Sequence, residues 1–189
     1  MQKILLLDNY DSFTYNLSHY VNYFDNTSVD VFRNDQISLS AIEKYDAIIL
    51  SPGPGLPNNA GIQMQLLNSY YNKKKILGVC LGLQAIVEYF GGRLVNLDKV
   101  LHGVKYETRV VIKGNLFEKI PGVFMSGRYH SWVADKSHFP DSLQITATDS
   151  QGEVMALQHK TLPVYGVQFH PESVLTEYGL EIIGNWIRL

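Results

Sequence analysis

Cysteine is nearly missing from this chain: Cys80 is the only one. A single thiol cannot close an internal disulfide, and it removes any metal site built from several cysteines. Basic runs are missing too. With 16 Lys and Arg against 18 Asp and Glu, the net charge is −2 and the pI is near 6.3, so the electrostatic footprint of a nucleic-acid binder is lacking. The longest early apolar run, Ile4-Leu5-Leu6-Leu7, stops at Asp8, too short for a signal-peptide core or a membrane span. No linker-like stretch, internal repeat or low-complexity segment divides the sequence. What is present is an ordinary globular composition, 46% hydrophobic and 18% charged over 189 residues, enough to bury a real core. One domain covering 1–189 is expected, in a cytoplasmic protein that binds neither nucleic acid nor membrane.

Short aliphatic runs alternate with amphipathic stretches. Lys3 to Leu7 reads as a buried strand. Asp11-Ser12 offers an N-cap to a helix whose stripe is Phe13, Leu17, Tyr20, Val21 and Phe24. Val29 to Phe32 predicts a second strand, Ser38 to Lys44 a short capped helix and Asp46 to Leu50 a third strand. A helix over Ile62 to Tyr71 then precedes a fourth strand, Lys75 to Val79, which feeds a helix from Leu81 to Phe90 stopped by Gly91-Gly92. Four such alternations imply a parallel sheet with helices on both faces. The second half favours strands: Val104 to Ile112, Leu143 to Thr148, Val154 to Gln158 and Val164 to Phe169, before a last helix over Thr176 to Ile187. The expected fold is α/β, with a mixed, mostly parallel central sheet. In such sheets chemistry gathers at the carboxyl ends of strands, where Asp8, Ser51 to Gly55, Cys80 and His170 all fall.

Cys80 sits in Gly78-Val79-Cys80-Leu81-Gly82, the Gly-x-nucleophile-x-Gly pattern of a sharp strand-to-helix elbow. Bulky neighbours would clash in that bend. The helix that follows aims its N-terminal N–H groups at the sulfur, which favours thiolate over thiol, and the Leu81 N–H can face an oxyanion on a substrate carbonyl. A base is needed. Of six histidines, His19 lies in a helical stripe and His138 in a polar loop, while His102, His130 and His159 lack a carboxylate two residues away. His170 differs, because a buried strand ends in His170-Pro171-Glu172. Residues i and i+2 of extended backbone share a side, and Pro171 biases His170 toward extended conformation. Glu172 can thus orient the imidazole and favour its charged form. Cys80, His170 and Glu172 together suit acyl transfer through a thioester. Ser51-Pro52-Gly53-Pro54-Gly55 lacks the ending of a phosphate-binding P-loop and offers a stiff second wall for the oxyanion.

These motifs resemble the class I (triad) glutamine amidotransferases: Ser-Pro-Gly-Pro-Gly at 51–55, Gly-Val-Cys-Leu-Gly-Leu-Gln at 78–84 and His-Pro-Glu at 170–172. More narrowly, the segment from Asp8 to Leu17 resembles the opening of glutaminase subunits that serve chorismate-using synthases, those making anthranilate and 4-amino-4-deoxychorismate. The resemblance runs the length of the chain. It implies the flavodoxin-like architecture of that family. It also implies that Cys80 attacks the side-chain amide of L-glutamine, that His170 protonates the departing ammonia, and that water then releases glutamate. Gly53 and Leu81 are implied as oxyanion donors through their main chains, and Gly53, Gly55, Gln84, Ser131 and Trp132 as positions that hold glutamine.

The partner implied by the same resemblance is a chorismate-utilising synthase subunit. Ammonia would pass directly to it, because ammonia lost to neutral water becomes ammonium, which has no lone pair to attack with. No metal or other cofactor is expected in this chain; Mg2+, where needed, would sit in the partner. Tyr10 to Thr14 could contribute to the contact. The chain departs from the family pattern twice. Val104 intervenes between His102-Gly103 and Lys105, which bears on docking, and Trp132 stands where Leu is common. Two other readings share the motifs: a stand-alone cysteine hydrolase of γ-glutamyl compounds, and a non-catalytic regulatory subunit.

Overall fold

The computed structural model describes residues 1–97 and 103–189; His102 of the 102–105 departure lies outside them. The aliphatic run at the start becomes β1 (Gln2–Asp8), which pairs in parallel with β2 (Thr27–Arg33) on one side and β3 (Ala47–Leu50) on the other. β4 (Lys75–Val79) follows β3, also parallel. Alternation along these strands splits the core in two. Ile4, Leu6, Ile49 and Leu77 face α1 (Thr14–Asn22) and the C-terminal α4 (Gly179–Arg188). Leu5, Leu7, Ile48 and Ile76 face α2 (Gln63–Tyr70) and α3 (Leu81–Tyr89). Since both faces are covered, every residue of β3 can be aliphatic and fully buried.

Past residue 90 the chain builds β5 (Leu94–Asn96), β6 (Val104–Val110), β7 (Val123–Arg128), β8 (Trp132–Ala134), β9 (Leu143–Asp149), β10 (Val154–His159) and β11 (Val164–Val167). β11 pairs in parallel with β4. Among the described residues the main sheet runs β2-β1-β3-β4-β11-β10-β9-β6-β7. Its first five strands are mutually parallel, and the last four are joined antiparallel. β5 and β8 form a separate antiparallel pair. The expected mixed, mostly parallel α/β sheet is therefore present, as one continuous layer.

Several boundaries differ from expectation. Asp11-Ser12 does not cap α1, because Phe13 takes the cap position with no side-chain bond. Asp11 instead accepts the Phe13 N–H at 2.7 Å, while Asp8 Oδ1 accepts the Asp11 N–H at 3.1 Å and the Thr14 hydroxyl at 2.8 Å. The carboxylates fix the turn before the helix. Ser38 to Lys44 forms a 3-10 helix, Leu39–Lys44, with Ser38 Oγ accepting from the Ala41 N–H. α4 starts at Gly179 rather than at Thr176, because residues 173–177 are stitched alongside β7: the Thr176 hydroxyl accepts from Gly127 N–H at 2.9 Å and donates to the His170 carbonyl at 2.5 Å, and Glu177 N–H donates to Met125 O at 2.9 Å. β11 ends at Val167 instead of Phe169. Beyond it, Gln168 N–H bonds to Met155 O and His170 N–H to Gly127 O, so the chain leaves β4 and crosses toward β7. Val104 opens β6, and Lys105 after it pairs with Glu177 at 3.1 Å.

Candidate active site

Cys80 is the one residue between β4 and α3, with φ 51° and ψ −101°, a strained conformation that costs about 1–3 kcal/mol. Both neighbours enforce it. Its N–H is held by Val167 O at 2.8 Å, and its carbonyl already accepts the Gln84 N–H of the first helical turn at 3.1 Å. The flanking glycines make the bend possible: a Cβ on Gly78 would strike the backbone of Gly82, and one on Gly82 would strike the Leu50 carbonyl. The side chain, nearly buried, lines two cavities at once.

The base lies where the chain crosses to β7. His170 Nδ1 is 2.7 Å from Glu172 Oε1, and both side chains are almost wholly buried. Phe13 and Tyr129 wall in the imidazole, with ring centroids 5.8 Å and 4.7 Å away. Nε2 is buried and makes no hydrogen bond among the described residues, which leaves it as the nitrogen for the reacting side. Burial alone would depress His170, but the neighbouring Cys80 sulfur and the hydrogen-bonded Glu172 carboxylate outweigh it and push His170 up to about 10. Burial pushes the Glu172 carboxyl up, and the bond and charge of His170 oppose that. The pair thus keeps a proton on the imidazole at neutral pH.

The first cavity, about 210 Å³, is lined by Gly53, Gly55, Cys80, Gln84, Ser131 and Trp132, among others. Every position expected to hold substrate meets there. Gly53 also stands against the helix start, since a Cβ on it would lie 2.6 Å from Asn9 Cβ and 2.9 Å from Leu81 Cδ2. Gln84 Nε2 donates to Trp132 O at 2.9 Å and to Gln168 Oε1 at 3.4 Å, so its nitrogen is spent within the protein and its oxygen is left for a ligand. Trp132 O also receives His130 Nδ1 at 3.0 Å, and Ser131 O receives the Leu97 N–H at 2.7 Å. The second cavity, about 470 Å³, lies between Tyr10, Asp11, Phe13, Gly53, Cys80 and His170. Among the described residues no group of three or more His, Cys, Asp or Glu is placed to hold a metal ion, and no helix is long and apolar enough to cross a membrane.

Three residues at this site escape the sequence reading. Asn9 locks the Ser51–Gly55 turn, with its N–H on Ser51 Oγ at 2.8 Å and its amide nitrogen on Ser51 O at 2.9 Å and Gln63 Oε1 at 2.7 Å. Gln168 reaches the sulfur of Cys80. His130 accepts from Arg128 Nε at 3.3 Å, and Arg128 in turn pairs with Asp149 at 2.6 Å in full burial. Burial first, then the Arg128 charge, lowers His130 to about 3; it is a neutral spacer. His130 stood out only as a histidine without a nearby carboxylate, and no local signal marks the other two.

The model of the family described as glutamine amidotransferase class-I matches residues 5–189. Anthranilate synthase component 2 of Lactococcus lactis is 46% identical over 187 residues, covering 97% of this chain and 93% of its own. The aminodeoxychorismate/anthranilate synthase component 2 of Bacillus subtilis is 40% identical over 186 residues, covering 97% and 95%. A solved structure from Thermoplasma acidophilum, provisionally assigned to GMP synthase, superposes with a TM-score of 0.89 at 27% identity, over 100% of this chain and 93% of that one. With the family matched from the first strand to the last helix, this chain belongs to the class-I glutamine amidotransferases.

Proposed function

We propose that this chain is the glutaminase component of a chorismate-linked synthase, working in the cytoplasm and passing ammonia to a chorismate-binding subunit that makes anthranilate or 4-amino-4-deoxychorismate. The Cys80 thiolate attacks the side-chain carbonyl carbon of L-glutamine, and the N–H groups of Gly53 and Leu81 take up the oxyanion, each such donor supplying roughly 10²–10³-fold. As the tetrahedral species collapses, the C–N bond breaks and His170 Nε2 gives its proton to the leaving nitrogen, which departs as ammonia. Water then attacks the γ-glutamyl thioester, His170 takes a proton from it, and glutamate leaves with Cys80 regenerated. Glu172 holds the imidazole in place and stabilises its charge. Gly55, Gln84, Ser131 and Trp132 hold the glutamine. This chain needs no cofactor, and any Mg2+ belongs to the partner.

The observation that carries the reading is that two cavities meet at one sulfur. The smaller, at about 210 Å³, is below the roughly 300–1,000 Å³ typical of drug-sized ligands, which suits glutamine better than a larger γ-glutamyl compound. The other opens past His170, the proton donor, and gives ammonia a way out that does not retrace the substrate's path. The near relatives' names supply the chorismate branch. In a complex with the chorismate-binding synthase, Cys80→Ser is expected to abolish aromatic amine formation from glutamine while formation from ammonium persists. Glutamine-supported synthesis surviving in that variant would refute the proposal. Identifying the amine names the pathway.

A further inference from the structure

Gln168 is fully buried one residue past β11, and a buried amide must find partners for its polar atoms. Its N–H bonds to Met155 O at 2.9 Å. Its side-chain nitrogen lies 3.6 Å from Cys80 Sγ, and its side-chain oxygen 3.4 Å from Gln84 Nε2. The orientation of both amides is forced. Trp132 O can only accept, so the Gln84 atom 2.9 Å from it is nitrogen. That nitrogen requires an acceptor on Gln168, hence oxygen, and the remaining Gln168 atom facing the sulfur is the NH2 group.

We propose that Gln168 is a catalytic residue whose amide N–H donates to the Cys80 sulfur and stabilises it as a thiolate. The inference rests on Cys80 being the nucleophile. A donor to an anionic acceptor makes a stronger bond than one to a neutral acceptor, so the contact tightens on thiolate and slackens once the sulfur is acylated. An amide also differs from His170 in kind. It keeps its protons through the cycle, so it is in place to receive the sulfur when the γ-glutamyl thioester is hydrolysed and thiolate leaves. The same bond chain reaches Trp132 on the wall of the 210 Å³ cavity, tying the sulfur's donor to the substrate pocket. The other ionisable groups around the sulfur are His170 with Glu172 behind it, Tyr10 and Asp11 across the second cavity, His130 along the first, and Tyr129 along both.

The test is the rate of Cys80 alkylation by iodoacetamide as a function of pH, in the wild type and in Gln168→Met, which is close in size and has no donor. The pH of half-maximal rate is expected to rise by about one unit, the size of one charge-assisted bond, and kcat/KM for glutamine to fall about tenfold. An unshifted profile in folded Gln168→Met overturns the proposal. A measurement on the wild type stands beside it should that variant not fold: the Gln168 side-chain amide resonances are expected to move when Cys80 is alkylated, and resonances that stay put also overturn it. Cys80→Ser separates the two levels. If that variant still turns over glutamine, the nucleophile assignment fails; if it is inactive and the Gln168 profile is unchanged, only the role of Gln168 fails.

Discussion

Gly78 lies against the backbone of Gly82 across the nucleophile's bend, and Gly82 lies in turn against Leu50 of β3, so neither has room for a side chain. Strand and helix can approach there only because neither carries a Cβ, and that approach sets the backbone of Cys80. Gly82→Ala would press against the Leu50 carbonyl, a backbone atom that cannot swing aside. It is expected to destabilise at or above the roughly 1–3 kcal/mol usual for overpacking and to lose glutamine turnover. Gly122→Ala, where a Cβ meets nothing within 4 Å, is the control and should leave the denaturation midpoint nearly unchanged. Urea titration of both variants checks this.

Glu172→Gln keeps size and burial and removes charge. Without the carboxylate, the burial of His170 is opposed by Cys80 alone, so the imidazolium is less favoured at neutral pH. The kcat for glutamine is expected to fall by roughly 10²–10⁴-fold. The alkaline limb of the pH–rate profile should also move to lower pH, since His170, now pushed up to about 10, would lose its proton earlier. A fall in kcat with the alkaline limb unmoved would show that Glu172 does not act through the charge of His170.

The elbow and His-Pro-Glu were legible because each is a local pattern. Gly78 and Gly82 bracket Cys80 in sequence, and His170 and Glu172 share a side through two-residue spacing. The parallel half of the sheet was legible for the same reason, since β1 and β3 hold unbroken aliphatic runs and β4 one broken only by Gly78. β7 was not, because Ser126 and Gly127 interrupt its pattern at the sheet's edge, and β5 and β8 are three residues each. The supports of the site were hidden because they are long-range. Gln168 meets Cys80 from 88 residues away, Asn9 meets Ser51 from 42, and Arg128 meets Asp149 from 21. No window of sequence contains both ends of such a contact.

His130 should make the protein acid-sensitive. Its folded value, near 3, lies below the ordinary value of about 6.5. Between those two pH values the unfolded chain binds a proton that the folded chain does not, so stability is present above pH 6.5 and is lost as pH falls toward 3. The contribution is about 1.4 kcal/mol per pH unit. His130→Gln can still accept from Arg128 and donate to Trp132 O, but it does not titrate. Unfolding free energies from urea titration between pH 4 and 7 are expected to show a shallower slope in that variant. Equal slopes would mean that His130 is not held neutral.

Arg128 and Asp149 form a buried ion pair at 2.6 Å with almost no solvent exposure, and such pairs are expensive to break and weakly stabilising to keep. Arg128→Met leaves the Asp149 charge buried, although Oδ1 still accepts the Gln151 and Glu153 N–H groups, each at 2.8 Å. A loss of roughly 3–5 kcal/mol is expected. Adding Asp149→Asn removes the stranded charge and keeps that acceptor, so the double variant should recover much of the loss. It should not recover glutamine binding. Arg128 Nε fixes His130, His130 Nδ1 fixes the Trp132 carbonyl, and Trp132 lines the substrate cavity, so KM for glutamine is expected to stay raised by about tenfold, the price of roughly one hydrogen bond, in a protein that is again folded. A double variant with both stability and KM restored would show that the ion pair only holds the fold and does not position the pocket.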